Sequence, residues 1–348
     1  MERKMLNKNI SCSNWRPDQL FCRLFVALLA LFLSGPVLAE KPVLTIYTYE
    51  SFVSEWGPGP KVEAAFEAEC GCDLQFVALD SSLGILGRIR IEGAASPADL
   101  VLGLDTNVTE IARQTGLFAP HQLTSQADAL PGQFTDPDFL AFDWGVFAFV
   151  YDRDRLASPP DSMEALRRAP DSLKIVIQDP RTATPGLGLL LWAKSVYGDE
   201  AGDFWRDLQP KIVTVTKGWW DAYSLFLEGN ADMVLSYATS PAYHSIAEGK
   251  DNYAAAEFAE GHYLQIEVAG MLKNAPQPEL ARAFLRFMQG PVFQQIIPTT
   301  NWMYPVRRDS QPDGFDGLVM PQKTWLFPAE KVAAEQKNWI AEWLAASR

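Results

Sequence analysis

Basic residues, histidine, cysteine and long apolar runs are all scarce in this chain, and each shortage removes a class of function. The 348 residues hold 30 Lys and Arg against 43 Asp and Glu, a formal net charge of −13. A body this acidic repels nucleic acid and anionic membrane surfaces, and mildly attracts cations. The three histidines, at 121, 244 and 262, are scattered, so the spacing draws no imidazole-rich metal site. The main apolar run, Leu24–Leu33, is too short to cross a bilayer. Internal repeats, heptads and low-complexity tracts are missing too, which removes solenoids and coiled coils. What remains is ordinary globular composition, 48% hydrophobic and 21% charged, in a chain long enough for two domains.

Basic residues up to Arg23 precede that apolar run, and Ser34-Gly35-Pro36-Val37-Leu38-Ala39 follows it. Val37 and Ala39 stand at the small-residue positions of a secretory cleavage site, so residues 1–39 are expected to be a signal peptide, cut after Ala39. Those residues carry five basic and two acidic groups, which leaves the mature chain at −16. Cys12 and Cys22 depart with the leader. The mature pair, Cys70 and Cys72, could close a small disulfide ring in an oxidising compartment or offer two thiolates to a metal.

After the leader, strand and helix patterns alternate almost throughout, which predicts α/β layers. Strands are expected at 41–49, 72–79 and 98–104, with helices at 61–69, 83–92 and 108–115 between and after them. The run FLAFDWGVFAFVYD, 139–152, is almost wholly apolar, as strands buried on both faces are. A second α/β set follows: strands at 174–178, 212–216 and 231–237, and helices at 186–197 and 220–228. HYLQIEVAGML, 262–272, is another long strand, and the remainder reads as helical, ending in 328–346. Two lobes joined by crossing strands are the simplest architecture. Lobe 1 is expected to hold 40–143 and about 268–348, lobe 2 144–267, with the last helix free to return to lobe 2. Hinge strands are expected at Phe147–Tyr151 and Ile266–Ala269.

The strand ends carry the chemistry. VLTIYTY stops at Tyr49, DLQFVAL runs into Ser81 and Ser82, and KIVIQDPRTATPG brings Thr184 to a helix start. IVTVT leads to Trp219 and Trp220, and ADMVLSYATS ends in Tyr237, Thr239 and Ser240. Ligands of open α/β sheets bind beyond the carboxyl ends of strands, so these groups predict a cleft for a flat, cationic, partly polar molecule. Thr184 is read two ways, as a contact for an anionic end of the ligand at a helix start and as a simple helix cap.

Long, irregular strings then carry a resemblance over essentially the whole mature region: KPVLTIYTYESF, SEWGPGP, CGCDLQFVAL, ADLVLGLD, QDPRTATPGLGLLLW, TVTKGW, DMVLSYATSPAYH and IPTTNWMYPV. The chain resembles the periplasmic thiamine-binding proteins of bacterial ABC importers, a branch of the type II periplasmic binding proteins. The resemblance implies two α/β lobes with a cleft between them, and capture of thiamine and its mono- and pyrophosphate for a membrane permease and ATPase. It implies a periplasmic monomer with no cofactor, no metal and no catalytic residues. Matched string by string, it places ligand contacts on Tyr49, Trp56, Ser81 and Ser82. It adds Ala183, Thr184, Trp219, Tyr237, Ala238, Thr239, Ser240, Tyr243 and Trp302. The family pattern has an acidic residue and Gly at the Ser81 and Ser82 positions, Ser at Ala183 and Asp at Glu50.

Thiamine is a permanent thiazolium cation joined to an aminopyrimidine. Faces of Trp and Tyr replace its lost hydration through their quadrupoles, about 0.5–2 kcal/mol each. Trp56, Trp219, Tyr237, Tyr243 and Trp302 are the rings expected to do so, with Glu50, Asp80 or Asp105 as a nearby carboxylate. Three other readings stand beside this one. A thiaminase-like enzyme of similar fold would need a cysteine nucleophile with a base, and the mature cysteines sit at a strand start. A ferric-ion receptor would need paired phenolates with His or carboxylate. A receptor for another small cation would share the rings.

Overall fold

The computed structural model describes residues 40–132 and 134–347. The expected signal peptide and its cleavage site lie outside them. Among the described residues there are twelve strands: β1 Val43–Tyr49, β2 Asp73–Leu79, β3 Leu100–Asp105, β4 Phe118–Ala119, β5 Phe139–Asp152 and β6 Ile175–Gln178. They continue as β7 Ile212–Thr216, β8 Met233–Tyr237, β9 Tyr253–Ala255, β10 His262–Leu272, β11 Tyr304–Pro305 and β12 Thr324–Trp325. The main order is β2-β1-β3-β10-β5-β8-β6-β7.

Strand β5 links the sheets of the two lobes. The first half of β5, up to Val146, pairs antiparallel with β10; from Phe147 to Tyr151 it pairs with β8 instead. Twelve of its fourteen residues are buried. That is why the apolar run has no alternation: both faces are covered along each half. The partner exchange therefore falls at Val146–Phe147. The stretches expected to hinge, Phe147–Tyr151 and Ile266–Ala269, lie inside the second and first sheets respectively. Helix Thr184–Tyr197 packs on this crossing through Gly188, where a Cβ would stand 2.0 Å from the Phe147 ring.

The final helix, Ala329–Ala346, buries Val332, Trp339 and Trp343. It packs against Thr109–Arg113 in the first lobe and against Ala201–Leu208 and Thr184–Tyr197 in the second. Lys194 pairs with its Glu342 at 2.9 Å. The helix is a strap across both lobes, not the property of one. Cys70 and Cys72 are joined as a disulfide where helix Gly59–Cys70 turns into β2.

Candidate ligand cleft

The base of the cleft follows from strand register. In the pairing of β3, β10 and β5, Glu267 lies opposite Asp105 on one side and Asp143 on the other. Three carboxylates thus form one row across the three central strands, all at most 5% exposed. Tyr49, at the end of β1, donates its hydroxyl to Glu267 Oε2 at 2.8 Å. Asn301 Nδ2 donates to the Tyr49 oxygen at 3.0 Å and to Asp143 Oδ2 at 2.7 Å. Gln265 Nε2 donates to Glu267 Oε1 at 2.8 Å, and its own Oε1 accepts from Tyr237 at 2.9 Å. Tyr49 can lie flat against β3 only because residue 103 is glycine: a Cβ there would stand 2.3 Å from its ring, at φ +100°.

Burial dominates the electrostatics of this floor. It pushes the Asp105 carboxyl up to about 6, against a backbone hydrogen bond from Asn107 that holds it down. Glu267 and Asp143 are also driven upward, first by burial, and Glu267 further by the charge of Asp143 on the neighbouring strand. The same burial, with Glu267 beside them, holds the Tyr49 and Tyr237 phenols well above their usual range. Both phenols are therefore neutral hydrogen-bond donors. Among the described residues, no three His, Cys, Asp or Glu side chains are grouped to hold a metal ion.

Above the floor is a cavity of about 230 Å³. The first lobe contributes Tyr49, Trp56, Ser81 and Ser82; the second contributes Ala183, Thr184, Trp219, Tyr237, Ser240 and Tyr243; and Trp302 closes one end from the loop before β11. Eleven of the thirteen sequence-derived positions thus line one space. The other two do not. Ala238 is fully buried with its amide on Val146 O at 2.9 Å, and the buried Thr239 hydroxyl reaches only Met303 Sδ, 3.9 Å away. Both stand behind the wall, in the turn that aims Tyr237 and Ser240. Of the carboxylates expected nearby, Glu50 and Asp80 line the cavity, whereas Asp105 lies beneath it.

Local geometry sets each ring. The Trp219 indole donates to Ser236 Oγ at 2.8 Å and stacks on Tyr223, centroids 5.1 Å apart. Trp302 takes a left-handed backbone, φ 56°, and meets Tyr243 edge-on at 5.4 Å. A bulky residue in that region is strained and is held there by its surroundings. Across the mouth, Trp56 from the first lobe lies 5.1 Å from Trp220 of the second. Asp80 and Lys217 form an ion pair across the same gap.

Helix starts also face the cavity. Ser81 caps helix Ser82–Glu92, its Oγ accepting from Gly84 N at 3.2 Å. Thr184 is not a cap: the helix begins at Thr184 itself, Ala183 holds the cap position without a side-chain bond, and the buried Thr184 hydroxyl stands beside Asp105. Sequence reasoning missed Glu267 and Asn301, and named Trp220 among the strand-end groups without making it a ligand contact. A lone acid inside the apolar run of β10 was the available signal for Glu267, and adjacency to Trp302 for Asn301.

A fold of two α/β lobes around a small cleft, lined by aromatic rings and carboxylates and, among the described residues, by no Lys, Arg or His, defines a receptor for a small solute. Comparison with known proteins agrees. The family model described as bacterial extracellular solute-binding protein matches residues 58–295. A thiamine-binding periplasmic protein of Escherichia coli is 53% identical over 90% of this chain and 96% of its own. A solved periplasmic thiamin binding protein superposes with a TM-score of 0.87 at 53% identity, covering 88% of this chain and 97% of that one. The apo ferric ion-binding protein A of Pasteurella haemolytica shares the fold alone, at a TM-score of 0.70 and 16% identity over 87% of this chain and 97% of its own. The chain belongs to the bacterial extracellular solute-binding proteins, in the branch whose curated members are named thiamine-binding periplasmic proteins. It is a periplasmic binding protein rather than an enzyme.

Proposed function

We propose that the cleft captures thiamine, and with it thiamine monophosphate and pyrophosphate, and delivers them as a monomer to the permease and ATPase of an ABC importer. The observation that carries the ligand class is the lining: eight indoles and phenols around the cavity, carboxylates among and beneath them, and no cationic side chain among the described residues. A fixed positive charge is favoured there by ring quadrupoles and by the acidic floor together. The Ser82 and Ser240 hydroxyls, and the Tyr237 oxygen whose proton goes to Gln265, supply hydrogen bonds of the kind an aminopyrimidine requires. For the phosphate esters the support is the helix starts at Ser82, Thr184 and Trp219, whose first amides lack intrahelical partners.

In this reading Tyr49, Trp56, Ser81, Ser82, Ala183, Thr184, Trp219, Tyr237, Ser240, Tyr243 and Trp302 are the ligand contacts, and Ala238 and Thr239 shape the wall. Closure is proposed to occur about the β5 exchange at Val146–Phe147, with the Trp56–Trp220 pair and the Asp80–Lys217 pair meeting only when the lobes approach. The test is intrinsic tryptophan fluorescence, titrated with thiamine and each phosphate ester. Saturable quenching by thiamine is expected. No change with any of the three, backed by no heat in calorimetry, would overturn the reading.

A further inference from the structure

Glu267 is the odd member of the cleft. It lines the cavity, yet it is nearly buried, and it stands in one row with two other buried carboxylates. The groups facing it come from its own strand and every neighbouring one: Gln265 from β10, Tyr49 from β1, Asp105 from β3, Asp143 from β5, Tyr237 from β8, and Asn301 from the loop before β11. None is cationic. Asp143 Oδ1 is buried with no hydrogen-bond partner among the described residues, and the Thr184 hydroxyl, 3% exposed, lines the same cavity beside Asp105. A buried row of carboxylates with no counter-charge does not stay fully ionised, because both desolvation and mutual repulsion favour the neutral acid.

We propose that ligand capture is proton-linked through Glu267: the empty cleft keeps a proton on the Glu267–Asp143 pair, and a cationic ring seated against the floor expels it to solvent. The ligand's charge then replaces the proton's, so the site changes its occupant and not its net charge. Burial raises both acids of the pair, so the exchange falls above the ordinary carboxylate range. The sign follows. Where the empty site holds the proton and the filled site does not, affinity for the cation rises with pH. It rises by up to tenfold per unit for one proton released, and levels off once the pair is ionised without ligand. This proposal rests on the thiamine reading and adds a property that a simple aromatic cage lacks.

The experiment is calorimetric titration of the full mature protein with thiamine, in buffers of differing ionisation enthalpy, from pH 5.5 to 9. A measurable fraction of one proton released per thiamine is expected, with affinity climbing in parallel. E267Q should bind without that release and with a flattened pH profile. D143N, one residue removed from the cavity wall, should lower the release as well, which keeps the test available if E267Q folds poorly. Thiamine binding with no proton exchange at any pH would overturn the proposal and leave the thiamine reading intact. No thiamine binding at all would overturn both.

Discussion

The floor and the mouth of the cleft are built from opposite materials. The floor is three long strands in fixed register, carrying Asp105, Glu267 and Asp143 almost out of reach of water. The mouth is loops and helix starts, with Trp56 and Trp220 each more than 40% exposed and Asp80 and Lys217 paired in solvent. Charge buried without a partner is costly, whereas exposed rings and ion pairs are energetically cheap. The floor therefore trades stability for recognition of charge, and the mouth adds contact that forms and breaks as the lobes move.

That contrast can be broken by substitution, and the largest effect belongs to the floor. Asp105 is raised from the ordinary 3.8 to about 6, so the folded chain binds more protons than the unfolded one between those values. Stability contributed by this group is thus full below pH 4, declines as pH climbs to about 6, and is level above. D105N removes that decline and should gain about 3 kcal/mol at pH 7, raising the melting temperature by several degrees in a calorimetric scan. A variant less stable than the parent at pH 7 would contradict this account of the floor.

Next come the rings between floor and mouth. W219A and W302A should each weaken thiamine binding by about tenfold or more, if each face supplies about 1.4 kcal/mol. Titration of both variants measures it, and unchanged affinity in both would displace the cage. W220A, whose ring is 45% exposed, should lose less, about two- to fivefold. Smallest is K217A. An exposed ion pair is worth at most about 1 kcal/mol, so affinity should fall by less than about fivefold, and the difference should vanish in high salt. Stopped-flow dissociation would show it as a faster off-rate.

The same contrast explains what the sequence could reveal. The alternation of strand and helix, the two long apolar strands and the cleft rings were legible, because periodicity and strand-end position are local properties. Boundaries such as 72–79 and 186–197 fall within a few residues of the strand and helix formed at Asp73–Leu79 and Thr184–Tyr197. The carboxylate row was not legible. It depends on antiparallel pairing between segments far apart in the chain, with a register shift just after Glu267 that no local pattern shows. Ala238 and Thr239 stand behind the wall for a related reason: the turn after β8 aims Tyr237 and Ser240 at the cavity and the two residues between them away from it, and string matching takes all four together. The Thr184 hydroxyl became distinguishable from a cap only once the helix start was fixed one residue after Ala183. The strap formed by the last helix needed both lobes in place.

The central claim is that a fixed positive charge is what this cleft selects. Competitive titration of thiamine against an uncharged isostere, with carbon in place of the quaternary nitrogen, tests it most directly. Thiamine should bind more tightly by at least about tenfold, the equivalent of about 1.4 kcal/mol of charge recognition. Equal affinity for the two would mean that shape and hydrogen bonding alone account for capture, and that the acidic floor and its rings have been misread.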